Sequence, residues 1–173
     1  MKPEGIVNKV ANSSLVNFNL EDYYTEGKRV AFDIAPFLWQ ELVIKEKDFR
    51  KQVKAYNWKA FEGDLIAIHC SSNAIIPTWA YMLIALSLEP FASKVCFGSL
   101  QDLERELLLE KLSPIDFSSY SNKKVIIRGC SNKPIPEFAY TYVALKLKPF
   151  AQSIMFGEAC SSVPLFKQKK NDL

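Results

Sequence analysis

Apolar positions change their spacing several times along the chain, and each change marks an element. Ile6, Val7 and Val10 share one face of a short helical segment, which Asn12-Ser13-Ser14 breaks. Leu15–Leu20 then alternates apolar and polar like an edge strand. Glu21–Glu26 reads as a polar helical turn ended by Gly27. Arg29–Ile34 is a strand bounded by Gly27 and Pro36. From Pro36 the period becomes helical through Phe37, Leu38, Leu42, Val43 and Phe49, with the proline suited to a first turn. The charged run Glu46–Lys51 is the exposed face of that helix, and Tyr56–Asp64 is a connection. Leu65–His69 reads as a buried strand, Pro77 opens a helix that stops before Pro90, and Lys94–Phe97 is a second strand. Leu100–Leu112 is an amphipathic helix with Leu103, Leu107, Leu108 and Leu109 inward and Glu104, Glu106 and Glu110 outward. A Ser-rich connection, Ile115–Asn122, follows. Strand, helix and strand then recur at Val125–Arg128, from Pro136 to before Pro149, and at Ser153–Phe156.

That recurrence is a repeat. Residues 66–98 and 125–157 align without a gap at an offset of 59, with 15 of 33 positions identical. Among the identities are Ile76/Ile135, Tyr81/Tyr140, Ala85/Ala144 and Phe97/Phe156. Each copy has the grammar of a parallel strand–helix–strand crossover. The expected fold is α/β: internally duplicated strand–helix–strand units forming a mostly parallel sheet covered by helices. Residues 1–173 form a single domain in this reading, with 1–28 as an N-terminal extension and 165–173 as a basic tail. The helix after Pro77 has almost no polar face, so it is expected to be central. Its counterpart carries Glu137, Lys146 and Lys148 and is expected to be peripheral.

Composition narrows the class. Over 173 residues, 49% hydrophobic and 24% charged is ordinary for a globular chain. A net charge of +3, much of it from Lys167, Lys169 and Lys170, provides no basic stripe for nucleic acid. The longest apolar run is interrupted by Pro77 and Thr78, too short to span a bilayer, and no signal-peptide pattern is visible. The expected location is cytoplasmic, with the four cysteines as thiols or ligands and not disulfides.

Standard catalytic motifs are missing, and one histidine excludes a multi-histidine metal site within the chain. The cysteines are the remaining chemistry. If the copies share a parallel sheet, Cys70, Cys130 and Cys160 fall at carboxyl ends of strands, where open α/β sheets bind ligands. They are the candidate metal or sulfur ligands, with His69, Arg128 and Glu158 as neighbours. A helix N-terminus and the Arg128 cation both favour a thiolate at Cys130. Cys96, matched by Met155 within a strand, reads as a core filler. No CxxC pair supplies zinc spacing, so the fold would have to assemble any metal site. The ordinary alternative for each thiol is a small buried apolar side chain. The turns Ser72-Asn73 and Ser131-Asn132 are candidate anion-binding turns ahead of helices, with simple capping as their alternative.

Three segments carry a family resemblance: Cys70–Tyr81, Gly129-Cys130 and Phe156–Pro164, with Glu46–Arg50 as a matching charged motif. Together they resemble domain-of-unknown-function family 2480, a bacterial family of uncharacterised proteins, over nearly the whole chain. Ala159 stands where that family more often has proline. The resemblance implies a sulfur- or iron-related accessory role, with a metal ion or iron–sulfur cluster as cofactor and iron–sulfur assembly proteins as partners. It assigns no role to any residue. The leading expectation is therefore a thiol protein for metal, iron–sulfur or sulfur handling. The alternatives are a non-catalytic interaction or scaffold protein with packed cysteines, and an enzyme with a cysteine nucleophile.

Overall fold

The computed structural model describes residues 15–40, 42–129, 132–158 and 161–169. The short helical segment expected at Ile6–Val10 lies outside them. In chain order the elements are β1 (Leu15–Asn19), β2 (Arg29–Asp33), α1 (Glu46–Ala55), β3 (Leu65–His69), α2 (Thr78–Leu88), β4 (Lys94–Phe97) and α3 (Leu100–Leu112). Then come β5 (Lys124–Arg128), α4 (Glu137–Leu147), β6 (Ser153–Glu158) and β7 (Ser161–Lys167). The chain is mixed α/β with mostly parallel strands covered by helices. The strands divide between two sheets, however, where the sequence pattern suggests one: β2-β3-β4 and β1-β5-β6-β7. The residues gather accordingly into two compact units, 25–107 and 1–24 with 108–173. Among the described residues no helix is long and apolar enough to cross a membrane.

In the unit of residues 25–107 the sheet is parallel throughout. Its central strand β3 is buried on both faces, which explains the unbroken apolar run of its sequence. Ile66 and Ile68 face a core containing Phe32, Phe49, Ala80, Ile84 and Leu88. Leu65 and Ala67 face Cys96, Leu103 and Leu107 on the other side. α3 is the amphipathic helix that its leucine spacing predicts, with one correction. Glu104 turns inward, where the Arg29 Nε donates to its carboxylate at 2.6 Å.

The helix expected from Pro36 is also corrected. Asp33 accepts the Ala35 N–H at 2.9 Å, and only a single 3-10 turn, Ala35–Phe37, follows. Gln40 then adopts φ 52°, and Trp39 bridges Val43 antiparallel. A left-handed residue ends helical propagation, so the periodic run yields its helix only from Glu46.

In the other unit β1 pairs parallel with β5, and β5 with β6, while β7 returns antiparallel on β6. Leu15–Asn19 is thus a sheet strand within the expected N-terminal extension. Ser161–Lys167 is a strand where an exposed loop and the start of a tail are expected. Pro164 disguised it, because proline is unusual in strands except at edges and bulges. It lies at the register shift between Ile154 and Met155.

Both repeat helices bury a stripe at i, i+4 and i+8: Ala80, Ile84 and Leu88 in α2, and Ala139, Val143 and Leu147 in α4. α2 is not central, as its composition suggests. A helix lying on one sheet face buries one stripe, and the opposite apolar face of α2 stays out, with Met82 59% and Leu86 70% exposed. Stability separates the two faces: Ile84→Ala should cost about 2–5 kcal/mol. Leu86→Ala, two residues away, should stay within about 0.5 kcal/mol of the parent, both read by urea unfolding.

Candidate functional site

β2 and β3 end side by side, so Asp33 and His69 are register partners at the carboxyl edge of their sheet. The chain leaving β3 folds back over that edge. Asp33 Oδ1 accepts the Ser71 N–H at 3.0 Å, and Oδ2 accepts the Ser71 hydroxyl at 2.5 Å. Burial opposes the charge on Asp33. The bonds from Ser71 and Ala35 outweigh it, His69 assists, and the carboxyl is held below its ordinary value. Cys70 is half-buried, with its Sγ 3.3 Å from Ser72 Oγ. Ser72 Oγ also accepts the Ala74 N–H at 3.2 Å. Tyr81 stands nearby, its phenol pushed up by burial and then by Cys70 and Asp33.

In the second copy a carboxylate also meets a turn N–H, at the position that matches Asn73 and not Ser71. Asn132 donates its N–H to Glu21 Oε1 at 2.8 Å and its side-chain amide to Oε2 at 3.3 Å. Exposed donors ahead of a helix attract an anion, and in both units the chain supplies one from within: Asp33 for Ser71 and Glu21 for Asn132. Ser72 takes part through its hydroxyl, and Asn73 is exposed on the same turn. Arg128 Nε donates to Glu158 Oε1 at 3.0 Å across the ends of β5 and β6.

Cys130, Ser131 and Cys160 lie outside the described residues. The premise that brought three thiols to one sheet edge is nevertheless altered. Cys70 follows β3 of the three-stranded sheet, whereas β5 and β6 belong to the four-stranded one. Where the first copy has Cys70, the second has Gly129 at φ 143°. A Cβ there would lie 2.8 Å from that of Leu20, so the position excludes a cysteine equivalent. Cys96 is buried, and desolvation, with Glu106 adding, pushes its thiol up to about 11. Among the described residues no group of three or more His, Cys, Asp or Glu is placed to hold a metal ion.

A feature that sequence reasoning missed lies between α2 and β4. Ile76, Tyr81, Met82, Ala85, Val95 and Phe97 line an open cleft of about 490 Å³. Phe97 is 65% exposed and meets Tyr81 edge-on at 4.8 Å between ring centroids. The other unit repeats the cleft at the offset of 59, with Ile135, Tyr140, Ala144, Leu145, Phe156 and, from β7, Leu165. Its Tyr140–Phe156 pair is again edge-on, at 5.6 Å. The available signal was the identity of Tyr81/Tyr140 and Phe97/Phe156, which the buried stripe does not require.

The family described as "Protein of unknown function (DUF2480)" matches residues 4–168. No curated protein matches the chain, and no solved structure does.

The Asp33 bonds set an acid limb. A lowered folded value stabilises above the ordinary carboxylate value, about 3.9, and that contribution is lost as pH falls through the lower folded value. Asp33→Asn keeps an acceptor oxygen, of the kind Asn19 uses at the matching position of β1 to accept the Glu21 N–H. The variant should lose less stability than the parent between about pH 4 and pH 2, measured by urea midpoints.

Proposed function

We propose, for a chain that belongs to this family of unknown function, that it acts as a non-catalytic interaction protein offering the α2–β4 cleft to an apolar segment of a partner protein. One observation carries this reading: Met82 and Phe97 stand exposed in one cleft whose helix, Thr78–Leu88, has no charged residue. Contiguous exposed apolar surface costs solubility and marks interaction sites. The buried, raised thiol of Cys96 fits a protein whose thiols pack. Met82→Glu and Phe97→Glu should leave the fold intact, because surface substitutions change stability by only about 0.5 kcal/mol. Both should remove the larger part of the fluorescence that bis-ANS gains on the folded parent. Unchanged dye fluorescence in both folded variants would end the reading.

A second reading rests on the half-buried Cys70 at the carboxyl end of β3, with the Ser72 hydroxyl at its sulfur. Here the protein handles a metal ion, an iron–sulfur cluster or a sulfur species, with Cys70, Cys130 and Cys160 as the candidate thiols, and serves iron–sulfur assembly proteins. Arg128 and Glu158 pair with each other, so their part would be to brace the strand ends. Protein purified without oxygen should then contain metal and acid-labile sulfide, and a Cys130→Ser/Cys160→Ser variant should lose them. Near-zero content in both preparations counts against it.

A further inference from the structure

We propose that β4 accepts an extended, largely uncharged segment of a partner protein as an added antiparallel strand. The inference rests on the interaction reading above and specifies how the partner is held.

The two sheets supply the template. β3 and β4 are paired in the same register as β5 and β6, at the offset of 59: Leu65↔Lys94 matches Lys124↔Ser153. β2 stands beside β3 as β1 stands beside β5. The difference is at the far edge. β6 carries β7, paired antiparallel from Ser153↔Lys167 to Glu158↔Ser161. Among the described residues β4 is the last strand of its sheet.

The chain path explains the difference. Gly98 and Gly157 are matching positions, both at positive φ. After Gly157 the chain returns as β7. After Gly98 it enters α3 at once, because Ser99 and Asp102 cap that helix. The Ser99 N–H donates to Asp102 Oδ2 at 2.7 Å, and the Asp102 N–H donates to Ser99 Oγ at 3.2 Å. This reciprocal cap is strong local chemistry, and it diverts the chain from covering its own edge.

What β7 does for its unit defines what β4 would take. β7 places Leu165 along Ala144 and Leu145 and adds it to the cleft. The matching residues of α2 are Ala85, which lines the cleft beside β4, and Leu86, which is 70% exposed. An edge strand beside an apolar cleft joins main-chain pairing to side-chain burial, the arrangement by which extended peptides add to sheets.

Charge selects among occupants. The helix face and Val95, Cys96 and Phe97 carry no formal charge, so the segment lying on them is apolar or neutral. By the β6–β7 register the residue opposite Lys94 takes the place of Lys167. The β7 of a second copy would set two lysines opposite each other, which is unfavourable. The fitting occupant is a foreign strand with a neutral or acidic residue there, beside the Lys94–Glu106 ion pair at 3.2 Å.

The test uses the full chain and a fluorescent Ser161–Lys167 peptide carrying Lys167→Glu. Saturable binding is expected, weakened about tenfold or more by Phe97→Glu or Met82→Glu in the protein. A scan of the peptide with single N-methyl groups should weaken binding about tenfold at amides that face β4 and little at their neighbours. Equal tolerance at every amide overturns strand addition. So does absence of saturable binding; if bis-ANS still reports the cleft in that case, the interaction reading survives and only the strand mode fails. A dimer by sedimentation that Phe97→Glu abolishes would assign the edge to a second copy and overturn the proposal.

Discussion

The seating of one helix stripe on one parallel sheet is the constraint from which the rest follows. Ala80, Ile84 and Leu88 meet Ile66 and Ile68 in one core. Ala139, Val143 and Leu147 meet Val125 and Ile127 in the other. Spacing of i, i+4 and i+8 aligns these side chains along one side of a helix. It also leaves the opposite side without a sheet. In α4 that side carries Glu137 and Lys146 beside an exposed Leu145. In α2 it carries Met82 and Leu86, and the cleft beside β4 is the consequence.

Polar chemistry at the strand ends is likewise set by backbone geometry. A chain leaving a parallel strand for a helix collects unpaired N–H donors at the turn. Asp33 and Glu21 answer those donors in the two units, so the turns stabilise the fold with carboxylates of the chain itself. The copies part company one residue after the strand. Cys70 has room for a side chain, and Gly129, against Leu20, has none. A repeat at the level of elements is therefore compatible with sites that differ.

The two readings of function draw on different surfaces. Thiol chemistry draws on the strand ends, and partner binding draws on the α2–β4 cleft. The second has the stronger physical cause, because exposed apolar area carries a cost that a partner removes. Cys96 lines the cleft and packs against Leu103 and Leu107, held as a neutral thiol by its burial.

Much of the fold was legible in residue spacing. Alternation and β-branched runs located β1 to β6, the leucine stripe located α3, and the gapless offset of 59 placed α2 and α4 between matching strands. Local patterns report neighbours within a few residues, and these elements depend on such neighbours. The division into two sheets, the inward turn of Glu104 to Arg29 and the strand hidden by Pro164 depend on residues far apart in the chain. The candidate site divides the same way. Sequence placed Cys70, Ser72 and Asn73 just beyond the end of a strand, but it could not pair Ser71 with Asp33, 38 residues away. Nor could it tell that the uncharged face of α2 stays uncovered. Hydrophobicity along a helix records what the side chains avoid. Only the packed structure decides which of them escape water, because one sheet face has room for one stripe.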